Sequence, residues 1–418
     1  MLPSGEKLNG PHSYSLIMPY FTTNDMTPAE VHDLGKTQLN KLYPMVVQIA
    51  KEVMGTNDSD LAVSLFRQKL NSTDSFFNDA PIPKNESNKE AHKRCSNLTG
   101  AEKYCPKRWA AMQLWFREAR RVMSMLDPKT VGMFYFTGPK HTTPNCPVDL
   151  SPDLNPSSGA QSYENSDIHC SRNAIYNIPF FLENLGPRFS EWSVNAHESR
   201  PGHHTQVQGT IEHFHDDCSD ALTWLDKETY YTAFTEGWAL YAENPLIALD
   251  TDTYKEEPMQ KFGMLKWQLW RAIRLIVDTG LHSLPNFTRD DALSYFDKYA
   301  WDNTDLAKKE VTRYQSDPGQ ATAYMIGQLD IIKSRRYAEK ELKDNFTLPD
   351  FHYQVLAQGS SPLAYLSDHV QRYVSCEKDR EAEGCDVILN PLKNTAAAKR
   401  GLKAARWPLI PRPHRHYI

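Results

Sequence analysis

The chain has 418 residues, 40% hydrophobic, 11% aromatic and 24% charged, long enough for one large or two modest cores. A net charge of −5 gives no global basic field, so nucleic acid is not expected as a partner. Mean hydropathy is −0.60 and no apolar run approaches the roughly 18 residues of a spanning helix, so no transmembrane segment is expected in this chain.

The opening MLPSGEKLNGPHSYSLIMPYF lacks a basic front and a long apolar centre and does not read as a signal peptide. Thr27-Pro28-Ala29-Glu30 is a capping box with Pro at the first helical position. It opens a helix carrying Val31, Leu34, Leu42, Val46, Ile49 and Val53 and stopped by Gly55. Residues 71–97 are irregular, rich in Asn, Ser, Pro and charge. Over 101–126, Trp109, Met112, Trp115, Ala119, Val122 and Leu126 recur at helical spacing. Residues 137–172 form a long Pro/Ser/Asn loop or a small non-helical element. Over 259–281, Leu265, Trp270, Ile273, Val277 and Leu281 repeat the helical pattern, and Thr288 with Asp291 starts another helix. Strand-like alternation is scarce, so the expected class is mainly α. Residues 1–385 read as one helical domain and 386–418 as a basic, Pro-containing tail.

Two features bear on compartment. N-x-S/T acceptors occur at Asn57, Asn71, Asn85, Asn97, Asn286 and Asn345, against roughly two or three by chance. Cys95–Cys105 and Cys376–Cys385 have short-loop disulfide spacing, Cys146–Cys170 is a further pair, and Cys218 is left over. The favoured reading is a secreted or secretory-pathway glycoprotein whose leading segment is absent here. Seven reduced thiols in a cytoplasmic protein is the alternative.

The chemistry concentrates in His197-Glu198-Ser199-Arg200-Pro201-Gly202-His203-His204. In an H-E-x-x-H helix two His on one face hold zinc while the Glu polarises water. Here Pro201 occupies the place of the second His. On an unbroken helix His204 would lie near the face of His197 but about 10.5 Å along the axis, too far for both to reach an ion at about 2.0–2.1 Å. The helix must therefore bulge or break, and Pro201-Gly202 is where it does so. Absorbing two extra residues brings His203 into the second ligand position, in preference to His204. Three His and one Glu in eight residues, from 15 His in the whole chain, make an incidental turn the weaker reading. Downstream, Glu236 sits in an apolar, aromatic run read as a buried helix, where a lone carboxylate is costly unless paired or bound to a cation. Arg271 or Arg274 is the alternative partner. Glu243, seven residues on, lies on nearly the same face and suits the role of partner to a ligand His.

Together these residues resemble the family catalogued as domain of unknown function eight-eight-five, regarded as gluzincin-like zinc metallopeptidases. The resemblance rests on His197-Glu198 through His204, on Ala233-Phe234-Thr235-Glu236-Gly237-Trp238-Ala239-Leu240-Tyr241 and on Arg274 through His282. It extends to Pro318–Tyr324, Gly359–Leu363 and the early Thr22–Gly35. It implies a helical metallopeptidase-like fold with a deep cleft, a His-Glu helix and a downstream Glu helix. Family members carry a further helical region ahead of the block that begins here, so it also implies that this chain is a C-terminal portion. Within the shared blocks, Tyr324 and His282 are candidates to stabilise an oxyanion, with an ordinary core role for each as the alternative. Arg274 and Asp278 are spaced for a helical ion pair, or Arg271 and Arg274 for a substrate-carboxylate clamp.

The expected function is zinc-dependent cleavage of a peptide or small amide substrate. Zn2+ would be held by His197, His203 and Glu236, Glu198 would be the general base, and Tyr324 and His282 would assist. Two alternatives stand: a non-catalytic secreted binding module retaining the metal site, and a zinc amidase or esterase.

Overall fold

The computed structural model describes residues 5, 9–214, 229–390 and 416–417 and is 67% helical. Helix α1 (Gly10–Thr22) precedes α2 (Pro28–Met54), which begins with the Thr27/Glu30 capping box and ends on Gly55 in the left-handed conformation. The predicted 101–126 helix is instead two, Leu98–Tyr104 and α3 (Pro106–Leu126). Pro106 lacks the N–H that continuation would need, so it starts a new helix. Helix α4 (Glu191–Glu198) and α5 (Thr232–Tyr241) follow, then α6 (Pro258–Ser283), α7 (Asp305–Ser316) and α8 (Ala323–Leu342). The Thr288/Asp291 capping box opens the short helix Arg289–Tyr295 as expected. Among the described residues, no helix is long and apolar enough to cross a membrane.

The expected non-helical element is a small sheet. Strand β1 (Val148–Asp153) pairs in parallel with β3 (Ala174–Pro179), and β2 (Ser162–Glu164) lies antiparallel on the other side of β3. The two-residue strand β4 (His416–Tyr417) adds to β2. Disulfides join Cys95–Cys105, Cys146–Cys170 and Cys376–Cys385, the pairings the spacing suggested. Cys218 lies outside the described residues.

Two apolar cores organise the helices. One is built on α2 against α6, where Val31, Leu39, Val46 and Ile49 meet a helix buried almost throughout its length. At that crossing Gly35 admits α6 so closely that a Cβ would stand 2.8 Å from Ile276 and Leu275. The other core gathers Trp238, Tyr241, Ile331, Phe351, Val370 and Tyr373. Helix α5 belongs to both, giving Ala233 to the first and Phe234 and Trp238 to the second. Glu236 therefore stands where the cores meet.

Candidate metal centre

Helix α4 is buried at every position and ends one residue after His197. Ser199 closes it, its N–H and hydroxyl both donating to the Asn195 carbonyl, and the chain reverses through a cis Arg200–Pro201 bond. It resumes as a π-helical turn over His204–Gln208. Gly202 makes the reversal feasible, since a Cβ there would lie 1.9 Å from the His197 carbonyl oxygen. No side chain fits so close to the end of α4. The break that the His spacing demanded thus occurs at Pro201-Gly202, and it returns His203 to His197, their ring centroids 4.8 Å apart.

Glu236 arrives from α5. This helix crosses α8 at a glycine pair: a Cβ on Gly237 would meet the Gly327 backbone at 2.5 Å, and one on Gly327 would meet the Ala233 carbonyl at 1.8 Å. Main chain on main chain is the closest approach helices make. It seats Glu236, beside Gly237, near Tyr324, one turn before Gly327. The indole of Trp238 donates to the Pro201 carbonyl at 3.0 Å, tying α5 to the reversal.

His197 Nε2 and His203 Nε2 each lie 3.4 Å from Glu236 Oε2, and one ligand atom from each of the three residues falls within 4.8 Å of the others. Tetrahedral ligands at zinc–ligand distances of about 2.0–2.1 Å are separated by about 3.3 Å, so the donor set and spacing fit a zinc ion. The other face of His197 fits as well, with Nδ1 2.7 Å from Glu243 Oε1. Glu243 also accepts from Ser193 Oγ and lies 3.7 Å from Arg271 Nη2. A carboxylate that fixes the ring of a ligand His is the usual outer support of a metal site. Neither carboxylate oxygen of Glu198 has a hydrogen-bond partner among the described residues. His197, Glu198, His203 and Glu236 are at most 1% exposed.

Burial drives the electrostatics. It opposes a charge on His197, but the bonds to Glu236 and Glu243 and the charge of Glu198 prevail and raise this imidazole to about 9. Burial lowers His203, and the charge and hydrogen bond of Glu236 oppose that shift without reversing it. Burial pushes Glu236 up, yet His203 and His197 hold it well below the usual carboxylate range. Glu198 is pushed well above its ordinary value by burial, against the charge of His197 and with the repulsion of Glu236 and Glu243.

His204 points away from the cluster. Its Nδ1 pairs with the Tyr163 hydroxyl at 2.9 Å and its Nε2 with the Cys146 carbonyl at 2.8 Å, so it ties the π-turn to the small sheet. Tyr324 is fully buried, lies under the Arg274 guanidinium at 4.6 Å from ring centroid to Cζ, and feels the charge of Glu236. His282 is not brought to the cluster. It bonds the Tyr314 carbonyl at 2.9 Å and stacks on Tyr14. It stands eleven residues beyond Arg271 on α6, about 16 Å along the axis. That displacement corrects its expected part in catalysis. The expected Arg274–Asp278 pair does not form either. Arg274 pairs with Glu310 at 2.6 Å, while Asp278 accepts from the Tyr14 hydroxyl and the Gly319 N–H. Sequence reasoning missed Tyr230, whose phenol is pushed well above its ordinary value by burial and then by the charges of Glu236 and Tyr324, and Ser193. Ser193 sits four residues before His197, one turn back on the same helix face, which was the available signal.

Residues 1–370 match the family described as "Bacterial protein of unknown function (DUF885)". None of the curated proteins matches the chain. Two similar solved structures, from Colwellia psychrerythraea and Shewanella oneidensis, are both titled "putative lipoprotein". The first is 24% identical with a TM-score of 0.68 and the second 16% identical with a TM-score of 0.56. Each is matched over 88% of this chain, which spans 56% of the first neighbour and 61% of the second. At these identities the likeness is one of fold.

Proposed function

Since the chain belongs to the DUF885 family, whose description names no activity, function has to be argued from the site, and we propose a zinc-dependent hydrolase acting on peptide bonds. The observation that carries this is the convergence of His197, His203 and Glu236 at 3.4 Å spacings with an unpartnered carboxylate, Glu198, next along the chain from a ligand.

Zinc, when bound, would polarise the scissile carbonyl and make water a nucleophile near neutral pH. The chain's own residues do the rest. Glu243, braced by Ser193, keeps His197 Nδ1 engaged so that Nε2 faces the centre. Glu198 takes the proton of the attacking water and delivers it to the departing amine. Its freedom from other hydrogen bonds leaves both oxygens for that exchange. Tyr324, near Glu236, offers a phenol to the developing oxyanion. The enclosing helices exclude bulk water, which strengthens each of these interactions. Substrate reaches residues this buried by way of an opening motion.

Full burial is also the observation that favours the second reading, a binding module that keeps a closed metal site. One experiment separates the two. Zinc content and peptide turnover are measured in the wild type and in Glu198→Gln. The hydrolase reading expects stoichiometric zinc in both proteins and a drop in turnover of about a thousandfold or more in the variant. Zinc without Glu198-dependent turnover would leave the binding module. A folded wild type that takes up no zinc would end both.

An extracytoplasmic, oxidising compartment completes the proposal. Three disulfides support it, as do six acceptor asparagines, all exposed, and the word lipoprotein in both neighbours' titles. A mass shift on treating native protein with an N-glycosidase is the expected result. Unmodified asparagines throughout, together with free thiols, would place it in the cytoplasm.

A further inference from the structure

Beside the cluster lies a second charged group that the proposed chemistry does not use. Arg271, on α6, is 0% exposed and spends one nitrogen on its own helix, Nη1 donating to the Trp267 carbonyl at 3.3 Å. Its Nε and Nη2 have no hydrogen-bond partner among the described residues. These two nitrogens are the side of the guanidinium whose parallel N–H bonds accept a carboxylate in two-point fashion. The nearest carboxylate, Glu243, stands 3.7 Å from Nη2, beyond hydrogen-bonding range, and is already held by His197 and Ser193.

The neighbouring arginines are more nearly satisfied: among the described residues each leaves one nitrogen without a partner, Nη1 of Arg274 and Nε of Arg313, and neither leaves the paired Nε–Nη2 edge open. Arg274 gives Nε to the Tyr314 hydroxyl and Nη2 to Glu310. Arg313 gives Nη1 to Gln320 and Nη2 to the same Glu310. The fully buried Arg271 and Arg274 and the half-buried Arg313 therefore share two carboxylates as ion-pair partners, Glu243 and Glu310. A buried positive charge with its best donor edge unmade is costly, and an anion docking there would relieve that cost.

Position connects this edge to the reaction. The contacts Arg271–Glu243–His197 keep the guanidinium within about 11 Å of the point where the ligand atoms converge, and Glu198 and Tyr324 both feel its charge. An extended peptide advances about 3.3–3.6 Å per residue, so a carboxylate on this edge lies within about three residues of the scissile bond. Resting on the hydrolase reading, we infer that Arg271 receives the free C-terminal carboxylate of a short peptide, and that the enzyme cleaves near that end. An aspartate or glutamate side chain offers the same chemistry, and the test distinguishes the two sources.

Zinc-loaded full-length protein is given trialanine, trialanine amide and Ala-Ala-Asp amide. Turnover is recorded, and binding of the same peptides to Glu198→Gln is measured by calorimetry. The free acid is expected to exceed its amide by about a hundredfold or more in kcat/KM and in affinity, since a site built around a polar group rejects the analogue lacking it. The Asp amide is expected to behave as an amide. Arg271→Gln should bring acid and amide within a few fold of each other. Arg271→Lys, which keeps the charge and loses the two-point edge, should fall between.

Equal handling of acid and amide by the wild type overturns the inference without needing any variant to fold, and so does an acid preference that survives Arg271→Gln. An Asp amide as good as the free acid overturns the assignment to the chain terminus. Hydrolysis without acid preference defeats this inference alone, whereas acid-selective binding without hydrolysis supports the docking of the carboxylate on Arg271 and defeats the hydrolase reading together with the cleavage near that end.

Discussion

Two regions of buried charge in this molecule are built on opposite principles. Arg108, 1% exposed at the start of α3, uses every nitrogen: Nε and Nη2 on the Glu86 carbonyl, Nη2 also on Asn88, and Nη1 on the carbonyls of Phe180 and Leu182. Its partner Glu86 accepts the N–H groups of Lys107 and Arg108, capping the helix that carries the arginine. At the centre between α4 and α5, Glu198 is as deeply buried yet among the described residues has neither oxygen engaged, and Arg271 keeps a donor edge open. The fold pays for a buried charge in the first place by satisfying it completely. In the second, on the proposed reading, the incomplete satisfaction is where an outside group would complete it.

Substitutions should separate the two regions by the sign and the readout of their effects. The largest change in stability is expected from Arg108→Ala, which strands the carbonyl groups of Glu86, Phe180 and Leu182 and leaves the buried Glu86 carboxylate without its countercharge. Denaturant titration should show a loss of about 3–5 kcal/mol, with the zinc affinity of the surviving folded protein unmoved. Glu243→Gln should act on the other region, weakening zinc about 10- to 100-fold, or about 1.4–2.7 kcal/mol, in a competition titration. An unchanged affinity there would remove Glu243 from the support of His197. The smallest effect has the opposite sign. Metal-free Glu198→Gln should be more stable than metal-free wild type by about 1 kcal/mol, because a buried, unpartnered carboxylate is replaced by a neutral group of the same shape. A destabilised variant would show that Glu198 is satisfied like Arg108, and the contrast would fail.

Much of this was legible in the sequence where the signal is local. The capping box at Thr27 and the apolar spacing within 259–281 fixed two long helices, because caps and 3.6-residue periodicity act within a few turns. His197, Glu198 and Glu236 stood out because polar groups in an apolar run need a reason. The choice of His203 followed from ligand geometry and a helix breaker, and the structure brings that residue to Glu236. What stayed hidden is long-range. The true partner of Arg274 is Glu310, 36 residues away on α7, whereas the sequence showed only the nearby Asp278. His282 shared a block with the arginines, but it stands about 16 Å along the same helix from Arg271. Tyr163, which holds His204 aside, lies on a three-residue strand too short to show an alternating pattern. The glycine pair that seats Glu236 near Tyr324 joins positions 237 and 327, a contact that only the folded chain reveals.

The sealing of the centre also sets a clock. With His197, Glu198, His203 and Glu236 at 0–1% exposure, neither an incoming ion nor a scavenging chelator can touch the ligands of the closed protein. Exchange then waits on local opening. Raising the chelator concentration would speed metal loss only up to a plateau, and the height of that plateau would be the opening rate itself. On the proposed hydrolase reading the same opening would admit substrate, so the rate of metal loss and the ceiling on turnover would be two readings of one motion.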